Sequence, residues 1–398
     1  MQEVYDVIVV GSGPGGGSAS LHCARRKLKT LVIEEHETIG EPVHCGECLS
    51  LYATKNTNIV LPNEVVSERV KGIRVVWPGN YTTILNEDGF VLEKEKFEQW
   101  LCQEAVKEGA ELMLGTRLEK LERIVEKSGE IEEQLWLLKT NKANLKARIV
   151  IDATGVSSVV SRILNLNERF QSVIGIQYEM EGIERDGYLD FYLWPDLAPK
   201  GYLWMIPKSN NRANVGLVTE QKNKAKEFND LFVKKMGWEN KRIVKTFGGL
   251  IPSSGPLKKT YYDGVILVGD AAGFTSPLFE GGSHLALKSG EFAAIVAKEA
   301  IDKKDFSKEF LAKYEKLWKA TFPTYEKIIR GKNALYGFSN EELEFIAKNL
   351  PRTFDNFKTL EKIVFGLKVL AQRPNFLLRG FIPAMQALGY SKAEFYGW

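Results

Sequence analysis

The sequence predicts an α/β fold in which a parallel-sheet domain is interrupted by an inserted antiparallel-sheet domain and followed by C-terminal helices. Three observations predict it. Residues 5–33 read as strand, glycine-rich turn, helix and second strand. From residue 172 to about 249 the texture changes to short strand-like runs dense in aromatics. Residues 265–268 then restore a buried-strand pattern, an alanine-rich helix follows at 285–300, and no strand-like run appears after 305. The first domain is therefore discontinuous. Its boundaries are set at 1–70, 86–170 and 255–305; the inserted domain takes 71–85 and 171–254, and the helical region 306–398.

The elements follow in order. Residues 5–10 are an apolar run of strand length that stops at Gly11. The helix at 18–27 carries the small residues Ala19, Cys23 and Ala24 along one side, which suits close packing on a sheet. Residues 30–33 are β-rich and end at Glu34. A polar, irregular stretch runs from 35 to about 63. Runs 72–77 and 81–85 read as strands joined by a turn with Pro78, Gly79 and Asn80. Residues 94–108 have helical periodicity, with Phe97, Leu101 and Ala105 on one stripe. Strand character returns at 111–114 and 146–151, with a surface hairpin across 127–142 between them. In the inserted domain, runs 187–194, 201–206 and 213–219 read as strands and 221–235 as a helix.

Composition excludes several classes. The 398 residues are 44% hydrophobic and 26% charged, enough for two packed cores. Net charge is only +3 and lysine is interleaved with glutamate, so no basic stripe asks for nucleic acid. The N-terminus lacks a basic stretch ahead of an apolar region, and no run reaches the roughly 18 apolar residues of a membrane-spanning helix. A cytoplasmic protein is expected, with a peripheral position on the membrane left open. Four cysteines, Cys23, Cys45, Cys48 and Cys102, are too few for a disulfide scaffold. None lies beyond residue 102, so no cysteine-ligated iron–sulfur cluster sits in the C-terminal half.

The chemistry begins at Gly11-Ser12-Gly13-Pro14-Gly15-Gly16, a G-x-G-x-x-G run between strand and helix. Gly11 allows the tight turn, Gly13 lets backbone approach a pyrophosphate, and Gly16 permits close helix–strand packing. Pro14 and Gly15 open the helix, whose free N–H groups face the phosphates. Glu34 lies 21 residues after Gly13, where a carboxylate accepts ribose hydroxyls; Glu35 beside it joins the candidate set. These residues predict a Rossmann-type dinucleotide site.

A second motif selects FAD as the resident ligand. Residues 265–272 form a buried strand ending in Gly269, Asp270 and two alanines, followed by a helix. Asp270 at such a strand end suits ribityl hydroxyls; the alternative is a plain helix cap. Gly281 and Gly282 precede the next helix and join the cofactor set. A third strand ends in Asp152-Ala153-Thr154-Gly155, where Ala153 and Gly155 let the chain pass close to the adenosine half.

Together these segments resemble the flavin-dependent oxidoreductases of the para-hydroxybenzoate hydroxylase-like fold. The resemblance narrows at Glu41-Pro42-Val43-His44-Cys45-Gly46-Glu47, which is similar to the P-V-x-C-G-E segment of the archaeal geranylgeranyl reductase family. It narrows again at Pro199 to Lys208, PKGYLWMIPK, similar to that family's P-x-x-Y-x-W-x-F-P-K signature with Ile206 in place of phenylalanine. The resemblance covers about residues 4–300. It implies hydride delivery from reduced flavin to C=C bonds of an isoprenoid lipid, with reduced ferredoxin or NAD(P)H as electron donor. It also implies that Cys45, Gly46 and Glu47 belong to an active-site loop and that Tyr202, Trp204 and Ile206 line the lipid cavity. Tyr192 and Trp194, alternating on another strand, are read as a second part of that aromatic wall; a plain sheet core is the alternative. The family's D-P-x-x-G-G-G run is here Ser276-Pro277-Leu278-Phe279-Glu280-Gly281-Gly282, which puts Glu280 beside the expected isoalloxazine as a candidate proton donor or a restraint on flavin potential.

Cys45 and Cys48 form a C-x-x-C pair, readable as a redox pair, as metal ligands or as two unremarkable cysteines; no metal site is assigned. Against the reductase stands a cluster-free relative of electron-transfer flavoprotein:quinone oxidoreductase, which shares the fold and an apolar substrate. A flavin monooxygenase and a non-enzymatic flavin-binding protein rank lower. Apolar residues 376–382 beside Arg373 and Arg379 suit either a bilayer surface or a core or dimer face.

Overall fold

The structure, a computed structural model, describes residues 3–128, 131–355 and 357–398. Parallel pairing builds the first sheet. Val4–Val10 lies between Thr30–Ile33 and Asn144–Asp152, with Glu111–Met113 outside the former and Val265–Leu267 outside the latter. Val7, Ile8, Val9, Ile149, Val150 and Ile151 are fully buried, as strands covered on both faces require. Tyr261–Tyr262 adds an antiparallel edge. The expected hairpin is present as Leu118–Ser128 and Ile131–Thr140, paired antiparallel to the first half of Asn144–Asp152. Residues 129 and 130 of that hairpin lie outside the described residues.

The helix after the glycine-rich turn, Pro14–Arg25, packs on Ser283–Lys303 from the far end of the domain. The approach is close because both helices are small where they cross. A β-carbon on Gly290 would stand 2.6 Å from the Gly15 carbonyl oxygen and 2.7 Å from the Ala19 nitrogen. Ser18 Oγ donates to the Leu287 carbonyl at 2.6 Å across the same contact.

The second sheet has seven strands in the order Ile243–Pro252, Ser172–Glu181, Arg212–Thr219, Tyr202–Lys208, Leu189–Tyr192, Ile73–Val76, Thr82–Leu85. All its pairs are antiparallel except Leu189–Tyr192 with Ile73–Val76, which is parallel. Helix Ala225–Lys235 covers one face, setting Phe232 against Tyr178, Tyr192, Trp194 and Met205. Of the C-terminal helices, Tyr325–Leu335, Asn340–Asn349, Thr359–Gln372 and Phe381–Gly389 close the other face, while Lys308–Thr321 packs on the first domain through Leu311, Tyr314 and Trp318. Among the described residues, no helix is long and apolar enough to cross a membrane.

The stretch read as irregular from 35 to 63 contains order of its own. Cys48–Ser50 pairs with Gly89–Leu92, which also pairs with Val66–Val70, giving a third, three-stranded sheet. Helix Leu51–Asn56 follows, capped by Ser50, whose Oγ accepts from the Ala53 nitrogen at 3.0 Å. A three-residue strand is too short for alternation to show it, although the serine ahead of the helix was a usable cap signal.

Gly290 tests the helix crossing. Alanine in a helix interior normally adds about 1 kcal/mol over glycine. Gly290→Ala is expected to reverse that sign and lose about 1–3 kcal/mol in urea unfolding, because its methyl meets backbone.

Candidate active site

The glycine-rich turn has the shape of a phosphate cradle. Gly11, at φ +98°, needs glycine, since a β-carbon there would stand 2.5 Å from the Ala153 oxygen. A β-carbon on Gly16 would overlap the Gly11 carbonyl, and one on Gly15 would meet Val268. Gly13 is different: nothing lies within 4 Å of where its side chain would point, and the same holds for Gly155. Those two positions open onto the space a dinucleotide requires. Pro14 takes the first turn of helix Pro14–Arg25, so the free N–H groups at its start face that space.

Glu34 ends the strand Thr30–Ile33 and turns into the turn itself. Its Oε2 accepts from the Ser12 nitrogen at 2.9 Å and Ser12 Oγ at 2.7 Å; its Oε1 accepts from the His36 nitrogen at 3.0 Å and lies 2.6 Å from His36 Nδ1. Burial works to raise its pKa, but these hydrogen bonds outweigh it and keep the group below the usual carboxylate range. Glu35, the next residue, is exposed. Asp270 follows Val265–Leu267 and accepts from Thr275 Oγ1 at 3.1 Å. Enclosure raises its pKa. Gly282 packs beside it, and a β-carbon there would come within 3.2 Å of Asp270 Oδ1. Gly281 lies against the backbone of Gly397 and Trp398. Lys94, at the start of helix Lys94–Lys107, reaches this corner, with Nζ 3.1 Å from Ser283 Oγ. The open space at Gly13 and Gly155, the helix start and the two acids fit an FAD molecule.

The cysteine loop faces the second sheet. Gln177, on Ser172–Glu181, donates from Nε2 to the Cys45 carbonyl at 2.8 Å and accepts at Oε1 from Trp204 Nε1 at 3.0 Å. Beside them lies a cavity of about 40 Å³ whose lining includes His44, Cys45, Gly46, Gln177, Trp204 and Phe247. Ile206 Cδ1 stands 3.2 Å from where a β-carbon on Gly46 would be. Cys45 and Cys48 are both free thiols; burial, then the neighbouring Cys45 and Glu47, push the Cys48 thiol well up. Among the described residues no cluster of histidine, cysteine or carboxylates could hold a metal ion.

Glu47 is buried at φ +72°, an unusual backbone for glutamate, and its carboxylate explains the choice. Oε2 accepts from Lys208 Nζ at 2.7 Å and Asn214 Nδ2 at 2.6 Å, and Oε1 from the Lys94 nitrogen at 3.0 Å. Lys208 also lies 3.0 Å from Glu93 and 3.9 Å from Glu179, and Arg212 bridges those two at 2.7 Å each. Burial works to lower the Lys208 pKa, but Glu47 and Glu93 outweigh it and raise it. Glu93 is held at about 2: burial opposes this, but the Ser67 hydroxyl and the Lys208 ammonium prevail.

The aromatic residues divide between two faces. Tyr202, Trp204 and Ile206 share one face with Phe191 and Phe279. Tyr192 and Trp194 point to the other, where their rings meet Phe232 at 5.0 and 6.1 Å between centroids. The expected single wall is therefore not formed: of the five residues Trp204 lines the cavity, Tyr202 and Ile206 pack with Phe191 in the core on that face, and Tyr192 and Trp194 serve the core under helix Ala225–Lys235. Register is the cause, since Phe191 is paired with Trp204 and Tyr192 with Leu203.

Glu280 sits at φ +47° with its side chain buried and Oε2 lacking any hydrogen-bond partner among the described residues. Its Oε1 lies 3.8 Å from the buried Lys332 ammonium. Burial pushes its pKa up to about 8, against the pull of Lys332 and Tyr202. Tyr202 OH donates to the Phe279 carbonyl at 2.7 Å, and Tyr336 OH to the Leu278 carbonyl at 2.6 Å, fixing the segment that carries the acid. Gln177, Lys94 and the Glu93–Lys208–Arg212 cluster are site residues that sequence reading missed. The P-K end of the signature was the one available sign, pointing at Lys208.

Known proteins resemble this chain in sequence and fold. A model of the geranylgeranyl reductase catalytic domain matches residues 171–251, and one of FAD-dependent oxidoreductases matches 6–162. The chain is 34% identical over 392 residues to a digeranylgeranylglycerophospholipid reductase of Methanocaldococcus jannaschii, covering 95% of this chain and 97% of that one. It is 32% identical to the Methanococcus vannielii protein of the same name, covering 95% and 97%. A geranylgeranyl bacteriochlorophyll reductase-like structure from Thermoplasma acidophilum superposes with TM-score 0.83 at 30% identity, covering 94% of this chain and all of that one. A flavin-dependent brominase, at TM-score 0.69 and 18% identity over 98% of this chain and 99% of that one, shares the fold alone.

Two outcomes follow from the buried charges. Lys208→Met strands the buried Glu47 carboxylate without its cation at 2.7 Å, and is expected to cost about 3–5 kcal/mol in denaturant unfolding. Between pH 4.5 and about 8 the folded state holds the Glu280 proton that the unfolded chain has released, so this residue makes stability fall as pH rises. Glu280→Gln removes that slope: its melting temperature relative to the parent is expected to rise across the same window.

Proposed function

We propose that this chain, which belongs to the digeranylgeranylglycerophospholipid reductase family, reduces C=C bonds in the isoprenoid chains of a lipid with a polar head. It is an FAD-dependent oxidoreductase by family and architecture. The observation that carries the finer reading is the placement of Trp204 and Gln177 against the Cys45–Gly46 loop, around an apolar cavity.

FAD, when bound, supplies the hydride. Gly13, Gly15, Gly16 and the start of helix Pro14–Arg25 would hold its pyrophosphate, Glu34 its ribose and Asp270 its ribityl chain. The electron donor is proposed to be external, reduced ferredoxin or NAD(P)H. The remaining work belongs to the protein. An isolated alkene has no group to activate it, so placement and exclusion of water must lower the barrier. Trp204 and Ile206 supply apolar walls, and Gln177 holds the Cys45 backbone against the sheet. Saturation needs a proton on the carbon opposite the hydride. Glu280 keeps one at neutral pH, and its unpartnered Oε2 leaves the carboxyl free to give it up.

A short apolar cavity would also serve a quinone-linked flavoenzyme without an iron–sulfur cluster, which is the second reading. Anaerobic reduction with dithionite, followed by geranylgeranylated glycerophospholipid, separates the two. Flavin reoxidation with product mass rising by pairs of hydrogens is expected. Reoxidation by a quinone analogue with no mass gain would replace the reductase reading. Lipid reduction is also expected to fall as pH passes about 8, where Glu280 loses its proton. Glu280→Gln should lower the rate by about 100-fold or more and flatten that limb.

A further inference from the structure

Helix Thr359–Gln372 is apolar on two opposite sides. Its inner side inserts Phe365 and Val369 into the core that also holds Tyr202, Trp204 and Phe279. Its outer side carries Leu360, Ile363, Val364 and Leu367, spaced so that they share one stripe. All four are exposed, Leu360 at 72% and Leu367 at 65%. A surface helix ordinarily turns polar residues outward. The segment that follows adds Leu377, Leu378 and Ile382, with Leu378 at 92%. Single exposed apolar residues are commonplace, but a contiguous set of this kind marks a surface that something covers.

Charge identifies the cover. Residues 358–382 contain five cations, Lys358, Lys362, Lys368, Arg373 and Arg379, and one acid, Glu361. That net of +4 exceeds the +3 of the whole chain. Lys358, Lys362, Lys368 and Arg373 form no salt bridge among the described residues. A second copy docking by the same face about a two-fold axis would set these cations against each other. An anionic bilayer meets both demands, since the apolar side chains enter the acyl boundary while the cations meet phosphates. We propose that this face docks the protein on the surface of an anionic phospholipid bilayer. The docking goes beyond the proposed reaction and does not depend on it.

Flotation of the FAD-loaded full chain on a density gradient tests this, with vesicles of phosphatidylcholine alone or mixed with phosphatidylglycerol. The protein is expected to float with the mixed vesicles, to remain below with phosphatidylcholine alone, and to release as salt rises. Leu367→Glu with Leu378→Glu should abolish flotation, and Lys368→Gln, which removes the cation flanking the stripe, should weaken it about fivefold. All these side chains are exposed, so the variants should keep the parent's melting curve and its reduction of detergent-dispersed lipid. A parent chain that stays unbound on mixed vesicles would overturn the proposal. So would a parent dimer, by light scattering, that Leu367→Glu with Leu378→Glu converts to monomer without changing flotation, because the face would then bind a second copy. Flotation as expected with no lipid reduction would leave the docking intact and remove only the proposed reaction.

Discussion

One buried ammonium holds the two halves of the molecule in relation to each other. Lys208 comes from the inserted sheet, and its carboxylate partners come from three places. Glu47 lies in the cysteine loop, Glu93 just before helix Lys94–Lys107, and Glu179 on Ser172–Glu181, two strands across the sheet. Away from water, none of these charges is tolerable without the others. Loop path, helix placement and sheet register therefore have to be met together. Arg212 supplies the second cation, and Asn214 and the Lys94 nitrogen satisfy the remaining lone pairs of Glu47. Glu47 can stay at φ +72° because so many neighbours determine where its carboxylate must be.

The frame of this fold was legible wherever a residue type answers to one steric demand. Each glycine of the first turn has a distinct reason, and two of those reasons are visible as backbone overlap at Gly11 and Gly16. Buried apolar runs such as residues 7–10 and 149–151 announce a covered parallel sheet. Short elements did not announce themselves. Cys48–Ser50 is a strand only because Gly89–Leu92 pairs with it, and that partner is some forty residues away.

At the site, legibility stopped at the single strand. Alternation correctly gathers Tyr202, Trp204 and Ile206 on one face, but it is silent on how neighbouring strands are registered. Tyr192 and Trp194 went to the opposite core for that reason. Glu280 could be seen as a departure from a glycine-rich pattern, whereas its burial and its approach to Lys332 required the C-terminal helices to be in place. Gln177 and Lys94 sit in ordinary strand and helix contexts, and no periodicity distinguishes them from their neighbours.

The discontinuity of the first domain has a consequence for how the chain matures. The second half of strand Asn144–Asp152 cannot pair on one side until Val265–Leu267 has been made, and the helix carrying Gly290 comes later still. During that interval the ribosome-bound chain presents an open edge of buried-type strand, the kind of surface that invites wrong partners. The inserted domain, whose strands all lie between residues 73 and 252 and are made before Val265–Leu267, can condense first and shorten the distance the late strand must search. On this order of events the nucleotide pocket is among the last parts to be completed, so cofactor capture comes at the end of synthesis.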